Sequence, residues 1–250
     1  MAIRRYLAMT AAEMRTISVF PGEIAWMACH FSPYCLGISN LPRTLPPGSL
    51  LILDDITPIH GHDPQQIAGQ LRERIDALRC SGLLLDFQRP DYEEAAALAK
   101  FLTQALPCPV AVSELYAADA DCPVFLPPVP PSVPLEEYIS PWKGREIWLE
   151  MALGGEVITL TPGGASTTPL PLEESCAGGH GDEVLHCHYH IAVEEEQARF
   201  TLFRTQDDLK KLLEEAEELG ITNAVGLFQE LHNITRSPSE SGSAVHSFPP

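Results

Sequence analysis

The feature of this sequence that most restricts its fold is a regular alternation of short apolar runs with helical patterns between residues 50 and 113. The apolar runs cover residues 50–54, 82–88 and 110–113, which suits strands that are buried on both faces. Helical patterns separate the runs, and each connection is long enough for a right-handed crossover between parallel strands. The sequence therefore predicts an α/β fold built on a parallel sheet.

The predicted helices carry recognisable start signals. Asp63 is a natural N-cap, and Pro64 suits the first helical position. Asp91 is predicted to cap the second helix. A third helix is expected after Thr205, which approximates a capping box with Asp208.

Further strands are predicted at residues 24–30, 124–126, 146–151, 156–160 and 223–228, and a hairpin at 184–193 and 199–204. Residues 1–22 suggest a short helix that ends at Pro21-Gly22. Counted from Ile24, seven or eight strands favour a (β/α)8 TIM-type barrel with irregularities. A doubly wound open sheet is the alternative, although its glycine-rich nucleotide loop is missing from the sequence. We predict a single α/β barrel domain at 1–234, a β-hairpin insertion at about 184–204 and a disordered tail at 235–250.

Polar residues stand at the ends of several predicted strands, where α/β barrels place their chemistry. Asp86 and Gln88 end the run 82–88, and strand alternation puts them on the same face as Leu84. Carboxylates also stand at the ends of other strands, at Asp54, Asp55, Glu114 and Glu150. The strand end at Asp86 is the best site candidate, and the alternative is a carboxylate that only caps the next helix.

Two stretches resemble glycoside hydrolase family 18, which includes chitinases and spore cortex-lytic enzymes. Residues 81–88 read Ser-Gly-Leu-Leu-Leu-Asp-Phe-Gln and are similar to the family's strand motif D-G-x-D-x-D-x-E in apolar frame, glycine position and last Asp. Residues 199–228 are similar to the closing element of the family, in which a helix ends in Leu-Gly and a last strand ends in an aromatic residue, here Phe228. The resemblance covers about a third of the chain.

The departures from this motif imply that the family's chemistry is impaired. Gln88 stands where the family has its catalytic Glu, and an amide cannot deliver the proton whose transfer is worth roughly 10²–10⁴-fold. Asp86 matches the Asp that orients the substrate's N-acetyl group, but Leu84 and Ser81 replace the other two Asp residues. The resemblance thus implies binding of an amino-sugar oligosaccharide or a peptidoglycan fragment. Together with the strand-end carboxylates, the predicted site comprises catalytic positions at Asp86, Gln88 and Glu150, and substrate contacts at Asp54, Asp55, Tyr116, Trp148 and Phe228.

Two other functions remain open from the sequence. An active glycosidase is one, with Glu150 or Asp54 as the acid and the separation of its carboxyl groups deciding the outcome. The other is a non-catalytic interaction scaffold that uses the acidic tail and residues 122–141, which contain seven prolines. We expect that proline-rich segment to be a rigid loop on top of the barrel, and a polyproline recognition segment is the alternative.

The charge balance excludes two classes of partner. The net charge is −18, with 34 acidic and 16 basic residues, which argues against nucleic acid and against anionic membranes. The sequence shows no transmembrane run and no secretory signal. Seven cysteines with no C-x-x-C pair favour free thiols in a reducing compartment. We therefore expect a cytoplasmic protein, and the resemblance adds an association with spores.

A histidine cluster at His186, His188 and His190 is the main candidate for metal binding, since alternation would place all three on one strand face. No fourth ligand stands at a telling distance, so the sequence favours a polar hairpin face. A looser cluster at His60 and His62 is better explained as a loop before a helix cap. We predict no metal and no cofactor.

Overall fold

The fold is a closed barrel of parallel strands that carries an additional antiparallel sheet. The computed structural model describes residues 2–17, 22–118, 121–170 and 178–232. Within these ranges, eight parallel strands close the barrel in chain order, which confirms the predicted TIM-type architecture. They are β1 (Arg4–Met9), β2 (Glu23–Phe31), β4 (Leu50–Asp54), β5 (Gly82–Asp86), β6 (Val110–Ser113), β7 (Val124–Leu126), β8 (Ile147–Met151) and β14 (Asn223–Leu227). The short strand β3 (Ile38–Ser39) pairs antiparallel with the end of β2.

Strand β1 closes the barrel, and the sequence prediction missed it. Residues 1–22 were expected to form only a short helix, whereas Arg4–Met9 pair with β14 on one side and β2 on the other. The predicted helix is shorter, α1 (Ala11–Thr16), and Pro21 lies outside the described residues. Because β1 completes the barrel, the predicted strand at 156–160 is not needed there and belongs to the other sheet.

The helices lie between the barrel strands in the described part of the chain. They are α2 (Pro64–Leu78), α3 (Glu93–Ala105), α4 (Glu114–Ala117), α5 (Leu135–Ile139), α6 (Gln206–Glu218) and α7 (Phe228–Leu231), with a 3-10 turn at Ser140–Trp142. The Asp63 cap is confirmed, since its side chain accepts a hydrogen bond from the Gln65 backbone N–H at 3.1 Å. The Asp91 cap is wrong: Asp91 has a left-handed φ of 55°, and Tyr92 is the N-cap, without a side-chain bond. Glu93 and Glu94 instead supply negative charge to the first turn of α3.

Two apolar cores hold the barrel. The larger core lies between the strands and the surrounding helices, with Leu71, Leu98 and Leu212 among its fully or nearly fully buried members. The smaller core fills the barrel interior, because alternate residues of each strand point inward. Its members are Tyr6, Ala8, Ala25, Leu50, Ile52, Leu84, Ala111, Phe125, Trp148 and Val225. Since these side chains fill the interior below the mouth, a ligand site on the barrel axis can form only at one of its ends.

The additional sheet is inserted between β8 and α6. Among the described residues, it contains five antiparallel strands in the order β10-β9-β13-β12-β11. They are β9 (Gly155–Thr161), β10 (Gly164–Pro169), β11 (His180–Asp182), β12 (Cys187–Val193) and β13 (Ala198–Phe203). The insertion is therefore larger than the hairpin predicted at about 184–204, although β12 and β13 form that hairpin. The predicted tail at 235–250 lies outside the described residues.

The base of this sheet is tied to helix α6. Thr205 and Asp208 form the predicted capping box, and the Asp208 carboxylate also lies 2.8 Å from Nδ1 of His188. Asp208 is buried, which would raise its pKa, but the bonds from Thr205 and His188 lower the pKa overall. The insertion is thus attached to the barrel by polar contacts as well as by apolar packing. No helix in the described ranges is long and apolar enough to cross a membrane.

Candidate functional site at the barrel mouth

A cavity of about 220 Å³ opens at the C-terminal end of the barrel strands. Its floor is apolar and its rim is acidic, because each contributing strand ends in a polar or charged residue. The lining comprises Ala8, Met27, Ile52, Asp54, Asp55, Ile56, Leu84, Asp86, Gln88, Phe125, Glu150, Val225, Gly226 and Leu227. The predicted alternation therefore holds at β5, since Leu84, Asp86 and Gln88 all reach the same cavity.

Asp86 and Gln88 form the centre of the mouth and contact each other directly. Gln88 Nε2 donates a hydrogen bond to Asp86 Oδ1 at 3.0 Å. Burial raises the pKa of Asp86, and the charge of Asp55 raises it further, whereas the bond from Gln88 opposes this shift. Asp54 lies opposite Asp86 in the register of β4 and β5, and burial raises its pKa as well. Carboxyl groups that resist ionisation thus crowd a small space.

Unlike Asp54 and Asp86, Asp55 has a carboxylate that is bonded to the backbone of the protein. Its side chain is only 3% exposed, and its two oxygens accept hydrogen bonds from the backbone N–H groups of Gln88 at 3.0 Å and Arg89 at 3.1 Å. These bonds fix the chain as it leaves β5. Asp55 therefore positions Gln88, and both of its oxygens are already engaged within the protein.

Glu150, on the seventh strand of the barrel, is the most perturbed carboxyl group of the mouth. Burial raises its pKa to about 7, with further contributions from the negative charges of Asp86 and Glu230. Glu230, which sequence reasoning missed, is held on α7 by the backbone N–H of Leu153, at 2.8 Å from Oε2. A carboxyl group that gains and loses its proton near neutral pH is suited to general acid or base chemistry.

A second lobe of about 380 Å³ adjoins this cavity and shares Asp86, Gln88, Phe125 and Glu150 with it. The proline-rich loop after β7 lines this lobe through Pro127 and Pro128, together with Ser113, Glu114 and Leu115 of the preceding strand end. Burial raises the pKa of Glu114. The Tyr138 hydroxyl donates to the Pro127 carbonyl at 3.0 Å and so holds the loop in place. The mouth is therefore a cleft with two lobes on either side of Asp86 and Gln88.

Three predicted aromatic contacts do not lie in this cleft. Trp148 points into the barrel, but it is 3% exposed and lies near the opposite end, where Nε1 donates to Glu146 at 2.9 Å. Tyr116 packs on the outer core, and its hydroxyl donates to the Arg89 carbonyl. Phe228 lies on α7, where it packs against the outer core and against His232. Among the described lining residues, the aromatic ones are Phe125, which lines both lobes, and Phe87, which lines the second lobe and is fully buried.

Several lining residues were not singled out from the sequence. Met27, Ile56 and Leu227 were treated as ordinary strand or loop residues, and Phe125 as part of a short strand. The available signal was parity along each strand, since Met27 and Phe125 face inward like Ala25 and Trp148. Parity alone does not tell which layer of the barrel a residue occupies.

The histidine cluster does not converge on one point. His186 has a left-handed φ of 45° ahead of β12, which breaks the alternation assumed for the three residues. Its Nε2 lies 2.9 Å from Glu215, while His188 contacts Asp208 and His190 is exposed and stacks on Phe203. In the described part of the chain, no three His, Cys, Asp or Glu side chains are grouped so that they could hold a metal ion.

The fold and its mouth define a TIM-type barrel with an antiparallel insertion before the last strand. Solved structures with a similar fold include a family 18 chitinase, a spore cortex-lytic enzyme and a chitinase-like agglutinin. A Cycas revoluta family 18 chitinase, a double mutant solved with (GlcNAc)4, has a TM-score of 0.57 at 12% identity over 93% of this chain and 98% of its own. The Bacillus cereus spore cortex-lytic enzyme SleL has a TM-score of 0.57 at 11% sequence identity, over 94% of this chain and 75% of its own. The chitinase-like agglutinin of Robinia pseudoacacia has a TM-score of 0.55 at 12% sequence identity, over 92% of this chain and 98% of its own.

These likenesses show that the chain has the barrel fold seen in family 18 proteins. No family model matches the sequence, and no curated protein matches it. Of the residues that differ from the motif, Leu84 and Gln88 line the mouth, whereas Ser81 lies at the opposite end of the barrel, 2.9 Å from the Tyr6 hydroxyl.

Proposed function

We propose that this protein binds glycans containing N-acetylglucosamine at the barrel mouth and lacks the usual general acid of family 18 enzymes. The observation that carries the proposal is the pair formed by Asp86 and Gln88. It lies in the cleft at the end of β5, in the positions of the last Asp and the catalytic Glu of the motif. The barrel fold shared with a chitinase solved with (GlcNAc)4 supports a sugar of this class.

The chemistry of the pair favours binding over hydrolysis. The Gln88 amide holds its hydrogens at any working pH and donates one of them to Asp86 at 3.0 Å. It therefore cannot protonate a leaving glycosidic oxygen. Asp86 remains an acceptor at the centre of the cleft, where the resemblance assigns it to the N-acetyl group of the sugar.

A second function, hydrolysis through Glu150, is favoured by one specific observation. Glu150 has a pKa of about 7 and lines both lobes beside Asp86. Two carboxyl groups with separate pKa values can divide the roles of acid and base between them. Under this alternative, Glu150 would supply the proton that Gln88 cannot.

The test is calorimetric titration of the protein with N-acetylglucosamine oligomers and with peptidoglycan fragments, followed by product analysis of the same samples. Saturable heat without products supports the binding protein. Products that disappear in Glu150→Gln support the alternative enzyme. An absence of heat with every glycan contradicts both and leaves an interaction scaffold.

Two variants separate the mouth from other acidic surfaces. Asp86→Ala removes the central acceptor and should weaken glycan binding by roughly tenfold or more, since a hydrogen bond to a charged group is worth about 1.5–3 kcal/mol. Asp76→Ala removes an exposed carboxylate on α2 and should leave affinity unchanged. Equal affinities for the two variants would place binding outside the mouth.

A further inference from the structure

The polar lining of the cleft at the barrel mouth consists mainly of carboxyl groups. The first lobe contains Asp54, Asp55, Asp86 and Glu150, and the second lobe contains Asp86, Glu114 and Glu150. Among the described residues that line either lobe, none is Lys, Arg or His. A ligand in this cleft therefore meets negative charge, or groups that can become negative, and no positive charge.

The basic residues near the mouth do not line the cleft. Arg89 follows Gln88 directly, and its guanidinium donates a hydrogen bond to the Ile56 carbonyl. His30 acts electrostatically on Asp54 but belongs to the lining of neither lobe. A positively charged ligand would therefore not compete with a cation of the protein inside the cleft.

Two of the carboxyl groups have no hydrogen-bond partner in the described part of the chain. Burial raises the pKa of Glu150 to about 7 and also raises that of Glu114, and no hydrogen bond opposes either shift. Both groups lie close enough to Tyr138 for their negative charges to raise the pKa of its hydroxyl. Glu150 also feels the negative charges of Asp86 and Glu230. A cation in the cleft would thus meet carboxyl groups whose charged forms the protein itself does not stabilise.

The cleft suits an organic cation rather than a metal ion. Its carboxyl groups do not converge, since no three His, Cys, Asp or Glu side chains in the described ranges are grouped to hold a metal. The two lobes, of about 220 and 380 Å³, share Asp86 and Glu150. Apolar surface at Leu115, Phe125 and Pro128 lies beside these carboxyl groups and can pack against the C–H faces of a sugar ring.

We propose that the glycan bound at the mouth contains a glucosamine unit, whose free amine faces Asp86 and Glu150. This rests on the proposed function and narrows it to glycans that are partly deacetylated. An ammonium group donates three hydrogen bonds from one compact charge, so it can contact both carboxyl groups at the wall that the lobes share. Its charge also favours the ionised form of each carboxyl group.

Other glycans lack this match. The N-acetyl group is neutral, so it cannot relieve the repulsion among the carboxyl groups. Peptidoglycan fragments carry carboxylates of their own, and these would be repelled from the same lining. We therefore expect the order of affinity to follow the charge of the sugar, with the amine first and the carboxylate last.

The test is calorimetric titration at about pH 6, where an amine keeps its proton. It compares the fully acetylated tetramer of N-acetylglucosamine with four tetramers that each have a single glucosamine unit, at a different position in each. The tightest of these four should bind at least about tenfold more tightly than the acetylated tetramer, because the hydrogen bonds of an ammonium to a carboxylate are charge-assisted.

Two substitutions show whether the cleft causes this preference. Asp86→Asn and Glu150→Gln keep the size of each side chain and remove its charge, so each should lose most of the preference for the amine. Asp76→Asn, at an exposed position on α2, is the matched control and should keep it in full. Spermidine, a cation without a sugar, should not displace the amine-bearing tetramer at equal concentration.

The possible results separate the glucosamine proposal from the proposed function. Equal or tighter binding of the acetylated tetramer would overturn the glucosamine unit and leave the proposed function intact. A preference that persists in both Asp86→Asn and Glu150→Gln would assign it to the acidic surface as a whole, and displacement by spermidine would show a site for any cation. Either result would also overturn the glucosamine unit. Binding of no tetramer would contradict the proposed function itself.

Discussion

At the scale of single residues, the main property of the mouth is that its carboxyl groups disfavour carrying negative charge at the same time. Asp54, Asp86 and Glu150 all have raised pKa values, with burial as the largest cause in each case. Gln88 relieves this crowding, because a neutral amide donates to Asp86 where a fourth carboxyl group would repel it. A neutral amide at position 88 thus adds no further negative charge to the cluster.

Under the proposed function, a carboxyl group at position 88 is the sharpest change at this scale. We expect Gln88→Glu to give measurable hydrolysis of N-acetylglucosamine oligomers, at least roughly 10²-fold above the unsubstituted chain, because a general acid returns beside Asp86. Gln88→Ala is the control, since it breaks the bond to Asp86 without adding an acid. Product analysis by mass spectrometry decides the question. Glycan binding without products in Gln88→Glu would show that other departures, such as Leu84, also block the reaction.

Glu150 makes folding stability depend on pH. Its pKa rises from 4.5 to about 7 on folding, so the unfolded chain releases this proton first as the pH increases. The stability that the protonated group contributes is full below about pH 4.5 and is lost as the pH rises through 7. Glu150→Gln should be more stable than the unsubstituted chain by about 1–3 kcal/mol at pH 8 and nearly equal to it at pH 4.5. Urea unfolding at both values measures this, and a constant difference would contradict it.

At the scale of elements, Arg204 joins the proline-rich loop to the inserted sheet. Its buried guanidinium donates to the carbonyl groups of Val129, Pro130, Leu185 and His186. Burial lowers the pKa of Arg204, which measures the cost of placing a charge there. One side chain thus sets the position of the loop that lines the second lobe of the cleft.

Removal of this side chain should loosen that loop. Arg204→Met keeps most of the apolar stem but leaves the four carbonyl groups without their donor, and we expect a loss of about 2–4 kcal/mol in unfolding free energy. Amide hydrogen exchange should rise at residues 127–134. Arg43→Met, at an exposed position, is the matched control. Unchanged exchange in the loop would mean that the bonds from Tyr138 to Pro127 and from Ser132 to Glu156 are enough to hold it.

The sequence predicted the position of most strands, but it did not predict which strands pair with each other in the barrel. Strands β4, β5 and β6 were evident because their apolar runs are buried on both faces. Strand β1 was missed because it begins with two arginines and contains few β-branched residues, and only its pairing with β2 and β14 makes it a strand.

The candidate site was predictable in the same limited way. Alternation along β5 predicted one face for Leu84, Asp86 and Gln88, and all three line the cavity that Glu150 also reaches. Trp148 lies inside the barrel but in a different layer, because the layer depends on the stagger of the closed barrel, which the sequence does not display. Phe228 was predicted to end the last strand, but the strand ends at Leu227, and Phe228 begins α7 and packs against the outer core.

At the scale of the whole molecule, closure of the barrel depends on close approach of its strands. Gly226 of β14 faces Leu7 on one side and Met151 on the other. A Cβ atom at this position would lie 2.3 Å from the Met151 carbonyl oxygen and 2.5 Å from Leu231. The backbone there has no room to give way, so the glycine is required for the last strand to close the barrel.

A pair of glycine substitutions tests this requirement. Gly226→Ala should destabilise the protein by about 1–3 kcal/mol, because it forces β14 away from β8. Gly69→Ala, in the exposed middle of α2 with open space around it, should stabilise it by about 0.5–1 kcal/mol. Chemical denaturation of both variants gives the comparison. Equal effects of the two substitutions would show that the barrel accommodates a wider separation at its closing strand.

The double pairing of β1 also determines when the molecule can fold. Arg4 pairs with Asn223, and the other six barrel strands lie between these two closing strands in the chain. Until β14 leaves the ribosome, β1 has one unpaired edge and the barrel stays an open sheet. Contacts so distant in sequence make folding slow, and the open sheet is the state most exposed to aggregation. Chaperone demand during expression should therefore persist until the last strand has been synthesised.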